Sequence, residues 1–215
     1  MEHLTFNSDW SKANSQTFWG EIAPCEHVVQ IYENDDVFLD LLNGFVNGGV
    51  NVGECVVVIA TESHLNGLNN RLKAAGHDVS DLVKKSLYMP LDANQILSLF
   101  MVNGWPDENL FNQMVSEVIS KAKINGRQVR AFGEMVAILW AQGKVGATVR
   151  LEQLWNKFCE NEAFCLFCAY PKSGFTQEAS ESVMHICGAH SKMIAGVGKG
   201  MTDIFYKDVD QKLTG

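Results

Sequence analysis

Residues Gly53–Thr61 read GECVVVIAT, a run of mostly β-branched apolar residues that begins after a glycine and ends at a threonine. Such a run is typical of a parallel strand that is covered by helices on both faces. The residues that follow, ESHLNGLNNRLKAAG, have the apolar spacing of a helix and end at Gly76. This stretch therefore predicts a strand followed by a helix, which is the repeating unit of a parallel α/β sheet.

The same alternation continues on both sides of this stretch. Further strands are predicted at residues 27–32, 86–92, 127–135 and 163–171. Helices are predicted at residues 37–46, 93–101, 106–125, 135–143, 148–161 and 178–190. We therefore predict a three-layer α/β sandwich with a mainly parallel central sheet and right-handed crossovers. The domain spans residues 25–190, between a lead-in (residues 1–24) and a tail (residues 191–215) whose packing the sequence leaves open.

Charge and composition exclude several classes of protein. The 215-residue chain has 17 basic and 25 acidic side chains, a net charge of −8, which disfavours binding to nucleic acid or to anionic lipid. The first residues are polar, and no apolar run approaches the roughly 20 residues that cross a bilayer. The six cysteines have no framework spacing and are interpreted as reduced thiols. We therefore expect a cytoplasmic protein.

Nucleotide-binding motifs are missing from this sheet. Neither GxxxxGK[ST] nor GxGxxG occurs in the sequence. After the first predicted strand, where phosphate would bind, the chain carries Glu33, Asp35 and Asp36. Each of these carboxylates would repel a nearby phosphate charge by ~1 kcal/mol even in a water-like dielectric. The sequence therefore disfavours nucleotide hydrolysis, and no cofactor is predicted.

Ligands of open parallel sheets bind beyond the carboxyl ends of the strands. Glu134 directly follows a predicted strand, where it could serve as a base, an ion ligand or a hydrogen-bond acceptor, or as an acid in the first turn of the next helix. The residues predicted at this edge, as candidate ligand contacts, are Tyr32, Glu33, Asn34, Asp35, Thr61, Glu62, His64, Asp92, Gly133, Glu134 and Tyr170.

Cysteines and histidines offer a second, weaker set of candidates. Cys187 and His190 would share a helix face, His185 lies close by, and Cys25 and His27 flank the start of the first strand. These soft ligands could hold a metal ion, but core packing and helix capping are the favoured interpretation. Cys165 and Cys168 lie three apart within a predicted strand, so they point to opposite faces and are interpreted as core thiols.

Several blocks of the chain, in order from Cys25 to Pro171, resemble the MEDS domain, the methanogen/methylotroph DcmR sensory domain. These blocks are HVVQIYENDDVFLDLLNGFVNGGVNVGECVVVIATESHLNGLNNRL, LDA, FMVNGWPDENLF, GRQVRAFGEMVAILW, LEQLWNKF and CAYP. The resemblance implies a core similar to KaiC and RecA that has lost the phosphate-binding loop, with ENDD in the place of that loop. It also implies that Glu134 lies where RecA-like enzymes hold acidic residues near the nucleotide.

The resemblance implies a non-enzymatic sensory module that binds a small molecule, such as a hydrocarbon derivative. Its output would pass through a partner such as a histidine kinase, a response regulator or a transcriptional regulator. Alternatives are a degenerate RecA-like nucleotide-binding protein or ATPase, a metal or redox sensor, and an interaction module without a ligand. Because RecA-like cores often self-associate, a homo-oligomer is also compatible with the sequence.

Overall fold

The computed structural model describes residues 10–13, 19, 26–174, 186, 188–196 and 202–207. The strands within these residues are β1 (Trp10–Ala13), β2 (His27–Tyr32), β3 (Cys55–Ala60), β4 (Tyr88–Asp92), β5 (Met101–Val102), β6 (Trp105–Pro106), β7 (Val129–Gly133), β8 (Cys165–Pro171), β9 (Lys192–Gly196) and β10 (Thr202–Lys207). The helices are α1 (Asp35–Asn51), α2 (Glu62–Ala74), α3 (Val79–Lys84), α4 (Ala93–Phe100), α5 (Glu108–Ala122), α6 (Met135–Ala141) and α7 (Val145–Glu162).

The main sheet has eight strands in the order β1-β10-β9-β2-β8-β7-β3-β4. Strands β9, β2, β8, β7, β3 and β4 run parallel to their neighbours in this order. Strands β10 and β1 extend one edge in antiparallel orientation. The predicted α/β fold with a mainly parallel sheet is therefore confirmed, and β5 and β6 form a separate short hairpin.

Helices cover both faces of this sheet, so the core lies in two layers. On one face, α1, α2 and α3 pack against the strands around a set of large aromatic residues, Trp19, Phe38, Phe45, Phe132 and Phe167. On the other face, α4, α5, α6 and α7 pack around a second set, Phe100, Phe111, Trp155, Phe158 and Phe164. Every residue of β2 and β3 is buried because each of these strands is covered on both sides.

The segments outside the predicted domain contribute to the sheet. Strand β1 comes from the lead-in, and β9 and β10 come from the tail, whose packing the sequence left open. Helix α3 and the β5-β6 hairpin were also not predicted, because each is too short to show a clear periodicity. Most of the helix predicted at residues 178–190 lies outside the described residues.

Candidate functional site

Strands β3 and β7 are parallel neighbours and end side by side at the carboxyl edge of the sheet. Glu134 directly follows β7, and its backbone N–H donates to the Ile59 carbonyl of β3 at 2.9 Å. Thr61 directly follows β3 and precedes α2. The pairing of the two strands therefore places Glu134 beside Thr61, although 73 positions separate them in the sequence.

Both carboxylate oxygens of Glu134 accept hydrogen bonds. Oε2 accepts from the Thr61 backbone N–H at 2.7 Å and from the Thr61 hydroxyl at 3.2 Å. Oε1 accepts from Nδ1 of His64, in the first turn of α2, at 2.7 Å. Glu134 makes no side-chain cap bond to α6, so of the roles that the sequence left open the geometry favours the hydrogen-bond acceptor. We call Asp35, Thr61, His64 and Glu134 the Glu134 network.

His64 links Glu134 to the start of α1. Its Nε2 lies 3.7 Å from the Asp35 carboxylate, while its Nδ1 is bound to Glu134. Burial opposes a charged imidazole, but the hydrogen bond and charge of Glu134, together with Asp35, outweigh burial and raise the pKa of His64. Asp35 is 71% exposed and the His64 side chain only 14%, so the network runs from the interior to the surface.

Aromatic side chains form one wall of the Glu134 network. Phe38 packs edge-on against the His64 ring at 4.9 Å between centroids, and Tyr32 stacks on Phe38 at 4.8 Å. Burial, followed by repulsion from Glu134 and Asp35, raises the pKa of the Tyr32 hydroxyl. The site therefore combines a polar centre with an apolar wall, a combination common in small-molecule sites.

The acidic turn after β2 is tied down by hydrogen bonds and ion pairs. Asn34 caps α1 by accepting from the Val37 backbone N–H at 3.0 Å. Lys172 is ion-paired with Glu33 at 2.8 Å, and Arg71 with Asp36 at 2.8 Å. Lys172 and Arg71 are therefore already engaged by carboxylates at the turn where the resemblance to the MEDS domain implies a lost phosphate-binding loop.

The other predicted ligand contacts are placed differently. Glu62 is exposed in the first turn of α2, and Asp92 caps α4 by accepting from the Gln95 backbone N–H. Gly133 is the last residue of β7 and lies near Trp155. Tyr170 is fully buried on the opposite face of the sheet from Phe38, so the structure does not bring it to the Glu134 network.

Tyr170 leads instead to a second group of polar residues inside the protein. Its hydroxyl donates to Oε1 of Glu152, which lies on α7. The ligand atoms of His27, Glu152, Cys168 and His190 lie within 4.8 Å of one another, and all four residues are buried. We call these four residues the buried cluster. The pKa of the Glu152 carboxyl is raised to about 8 by burial, only partly opposed by the bond from Tyr170.

The buried cluster contains two of the predicted metal candidates, His27 and His190. The others, Cys25, His185 and Cys187, lie outside the described residues. Burial, followed by repulsion from His190, holds the pKa of His27 well below its ordinary value.

Sequence reasoning missed Glu152 and interpreted Cys168 as a core thiol. A signal for Glu152 was present, because it lies four residues after Thr148 and three before Trp155, on the buried stripe of α7. A carboxylate on an apolar stripe indicates a buried polar partner. As predicted, Cys165 and Cys168 point to opposite sides of the sheet.

None of the helices in the described part of the chain is both long enough and apolar enough to cross a membrane. A search of curated proteins finds no match to this chain. Among solved structures, the chain is similar to a KaiC-like protein from the hyperthermophilic archaeon Pyrococcus horikoshii, with a TM-score of 0.55 and 10% identity. The similarity covers 84% of this chain and 77% of the other, and it supports a KaiC-like, RecA-type fold.

The family comparison agrees with the resemblance seen in the sequence. Residues 26–190 match the model of MEDS, described as the methanogen/methylotroph DcmR sensory domain. The matched region contains β2 through α7 and β8, and thus both the Glu134 network and His27, Glu152, Cys168 and His190. Because the match covers well over half of the chain, this chain belongs to the MEDS family of sensory domains.

Proposed function

We propose that this chain is a non-enzymatic sensory domain that binds a small, largely apolar molecule at the Glu134 network. Membership of the MEDS family suggests a signalling role. The observation that carries the choice of site is the engagement of both Glu134 oxygens by Thr61 and His64 at the strand ends. A carboxylate held by a backbone N–H and an imidazole is oriented in advance for recognition of a polar group.

The surroundings of the network suggest the chemistry of the ligand. Tyr32 and Phe38 are buried beside His64, and a ligand that enters the network would pack its apolar part against them. Asp35 and His64, which reach the surface, would bind one polar group such as a hydroxyl or a carbonyl. Small hydrocarbon derivatives combine these two features, and they fit a site with few polar contacts.

Two observations argue against an enzyme that hydrolyses nucleotides. Lys172 and Arg71 are ion-paired with carboxylates, so neither is available to a phosphate without breaking a pair. Glu134 is hydrogen-bonded to Thr61 and His64 and is therefore less suited to activate a water molecule. We propose that the domain keeps the KaiC-like fold for recognition and has no catalytic role.

The output would pass through a protein partner such as a histidine kinase, a response regulator or a transcriptional regulator. Asp35 begins α1 and His64 lies in the first turn of α2. A ligand that separates or closes the Asp35–His64 contact would shift the two helix starts relative to each other. Binding would thus favour one of two existing arrangements and change the surface offered to the partner.

A thermal-shift titration of the untagged protein tests this proposal. The ligands are Mg-ATP, Mg-ADP and a panel of small halogenated and oxygenated hydrocarbons. A compound at about 100 times its Kd should stabilise the fold by about 2.7 kcal/mol, a shift of several degrees. The proposal expects stabilisation by a panel compound and none by nucleotide. Stabilisation by nucleotide alone would support a degenerate nucleotide-binding protein instead.

Matched variants locate the binding site. Glu134→Gln replaces the carboxylate that accepts the hydrogen bonds of Thr61 and His64. This variant should need about ten times more ligand than the wild type to reach the same shift in Tm. Glu62→Gln removes an exposed carboxylate from the same helix start and should leave the shift unchanged. If both variants lost the ligand-induced shift equally, or if neither variant lost it, the ligand would bind elsewhere.

A further inference from the structure

The buried cluster brings four different metal-binding side chains to one point in the interior. His27 begins β2, Glu152 lies on α7, Cys168 lies on β8 and His190 precedes β9. We propose that these four residues bind one divalent transition-metal ion, of which Zn²⁺ is the best fit, and that the ion crosslinks the four segments. This site is separate from the Glu134 network, so the inference does not depend on the proposed function.

The separations between the donor atoms fit tetrahedral coordination. Zinc bonds of ~2.0–2.3 Å at tetrahedral angles place nitrogen, oxygen and sulfur ligands about 3.4–3.6 Å apart. Oε2 of Glu152 lies 3.5 Å from Nε2 of His27 and 3.6 Å from Nε2 of His190. The Cys168 sulfur lies 3.4 Å from Nε2 of His27 and 4.0 Å from Oε2 of Glu152. Side-chain adjustments would have to shorten the wider separations, which reach up to 4.8 Å, to close the four donors around an ion.

Both imidazoles are oriented by the backbone in the manner of metal ligands. Nδ1 of His27 donates to the Ala189 carbonyl at 3.2 Å, and Nδ1 of His190 donates to the Ile186 carbonyl at 2.5 Å. A carbonyl can only accept, so each Nδ1 carries the ring proton. In a neutral ring the lone pair then lies on Nε2, which faces Glu152 in both cases. Histidines that bind metals are usually held through the other ring nitrogen in this way.

The carboxylate is oriented by a similar outer contact. The Tyr170 hydroxyl donates to Oε1 of Glu152, which leaves Oε2 directed at His27 and His190. Burying a carboxylate among uncharged groups is costly, and a divalent cation would remove that cost. The mixture of two imidazoles, one thiolate and one carboxylate suits zinc or a neighbouring late transition metal rather than calcium or magnesium.

Strand register explains why the cluster forms. In the β2-β8 pair, Val29 lies opposite Cys168, so His27, two residues earlier, shares the face and the neighbourhood of Cys168. Ser191 holds the segment before β9 against the start of β2, because its N–H donates to the His27 carbonyl at 2.8 Å. His190 is thereby placed over the same point of the sheet. The bound ion would fasten β9 to the parallel core.

Metal uptake by the full chain tests the proposal. Protein stripped with a chelator would be titrated with Zn²⁺ and, separately, with Co²⁺. We expect one equivalent of metal to bind. The Co²⁺ protein should show visible absorption bands as intense as those of tetrahedral Co²⁺, and a near-ultraviolet charge-transfer band from the bond between cobalt and the thiolate. Failure of the stripped wild-type protein to bind either ion would overturn the proposal, whatever the variants do.

Two cysteine variants on the same strand assign the thiolate. Cys168→Ala should abolish the near-ultraviolet cobalt band and weaken Zn²⁺ binding by roughly tenfold or more. Cys165→Ala removes a buried thiol from the opposite face and should keep both the band and the stoichiometry. Loss of the band in Cys165→Ala, or its survival in Cys168→Ala, would contradict the assignment. Circular dichroism of the stripped proteins would establish that both variants fold.

Discussion

Glu134 and Glu152 are both buried carboxylates, but the groups around Glu134 stabilise a negative charge and those around Glu152 do so poorly. Glu134 accepts from a backbone N–H and from His64, whose charge it stabilises. Glu152 faces two imidazoles, accepts from the Tyr170 hydroxyl and, at 4.0 Å, from the Cys168 thiol, and its pKa is raised to about 8 by burial. Protein donors therefore compensate the charge of Glu134, whereas the charge of Glu152 becomes electrostatically favourable when a cation is present.

The titration of His64 is predicted from its contacts. Because Glu134 and Asp35 raise its pKa above 6.5, the ion pair should contribute stability that is fully present below about pH 6.5 and is lost as the pH rises through the folded-state pKa. The contribution should be on the order of 1 kcal/mol. NMR titration of the imidazole signals, with urea unfolding at several pH values, measures both quantities. Glu134→Gln should lower the His64 pKa and remove this pH dependence, whereas an unchanged pKa in that variant would contradict the assignment.

The Tyr170 hydroxyl is predicted to stabilise even the metal-free protein. Tyr170→Phe would leave Oε1 of buried Glu152 without this donor, at a cost of about 1–3 kcal/mol in the free energy of unfolding. Tyr88→Phe is the matched control, since the Tyr88 hydroxyl is buried with no hydrogen-bond partner among the described residues. Urea unfolding of both stripped variants should show a loss only for Tyr170→Phe. Equal effects would mean that the contact with Glu152 contributes nothing specific.

Sequence reasoning predicted part of the Glu134 network because strand ends are visible in the sequence. Thr61 and Glu134 each follow an apolar run, and parallel strands bring such positions to one edge. The sequence does not reveal that Tyr170, next to the last residue of β8, lies on the sheet face opposite Phe38. Both faces of β8 are apolar, so its pattern does not indicate which face each side chain occupies. Nor could it pair Glu152 with His190, because their proximity depends on how α7 and the segment before β9 dock.

At the scale of elements, helix α1 approaches the sheet at Gly49. A side chain at Gly49 of α1 would collide with Val56 of β3 and with the side chain of Arg130, which lies on β7. The buried Arg130 guanidinium donates to Glu54 at 2.5 Å and to the Phe45 carbonyl of α1 at 3.3 Å. Arg130, on β7, thus joins α1 to the residue that precedes β3, and Gly49 leaves the space that the Arg130 side chain needs.

Gly49→Ala is therefore predicted to destabilise the protein. The new Cβ would lie 2.5 Å from a Val56 methyl and 2.8 Å from Nε of Arg130. Overpacking of this kind costs about 1–3 kcal/mol, which exceeds the gain of about 0.5–1 kcal/mol from replacing a helical glycine. Asn51→Ala, at an exposed position in the same helix, should be close to neutral. Chemical unfolding measures both, and a Gly49→Ala protein as stable as wild type would show that α1 can shift outward.

The success of strand prediction also has a cause at this scale. The strands β3 and β8 are buried on both faces, so their sequences are nearly continuous apolar runs, and β2 is likewise buried although it contains His27 and Gln30. Strands β9 and β10 have no such run. Strand β10 pairs with its neighbours in antiparallel fashion near the sheet edge, where alternating polar residues are tolerated.

At the scale of the whole molecule, the tail returns to the parallel core beside β2. Strand β9 pairs with β2, β10 pairs with β9, and β1 pairs with β10. Within the sheet, these three strands are therefore joined to the rest through the β9-β2 pairing. His190 and Ser191 directly precede β9 and contact His27, the first residue of β2. The proposed metal would therefore act on the attachment of an entire sheet extension and not on a single loop.

Hydrogen exchange should report this attachment directly. Zn²⁺ at about 100 times its Kd is expected to stabilise the stripped protein by about 2.7 kcal/mol, a rise in Tm of roughly 5–10 °C, and to slow amide exchange most in β9 and its partner β2. Glu134→Gln should respond to Zn²⁺ like the wild type because it belongs to the other site, whereas Cys168→Ala should lose most of the response. Protection confined to regions away from β9 would mean that the ion binds elsewhere. If Zn²⁺ slowed amide exchange equally in Glu134→Gln and Cys168→Ala, the stabilisation by zinc would not come from the buried cluster.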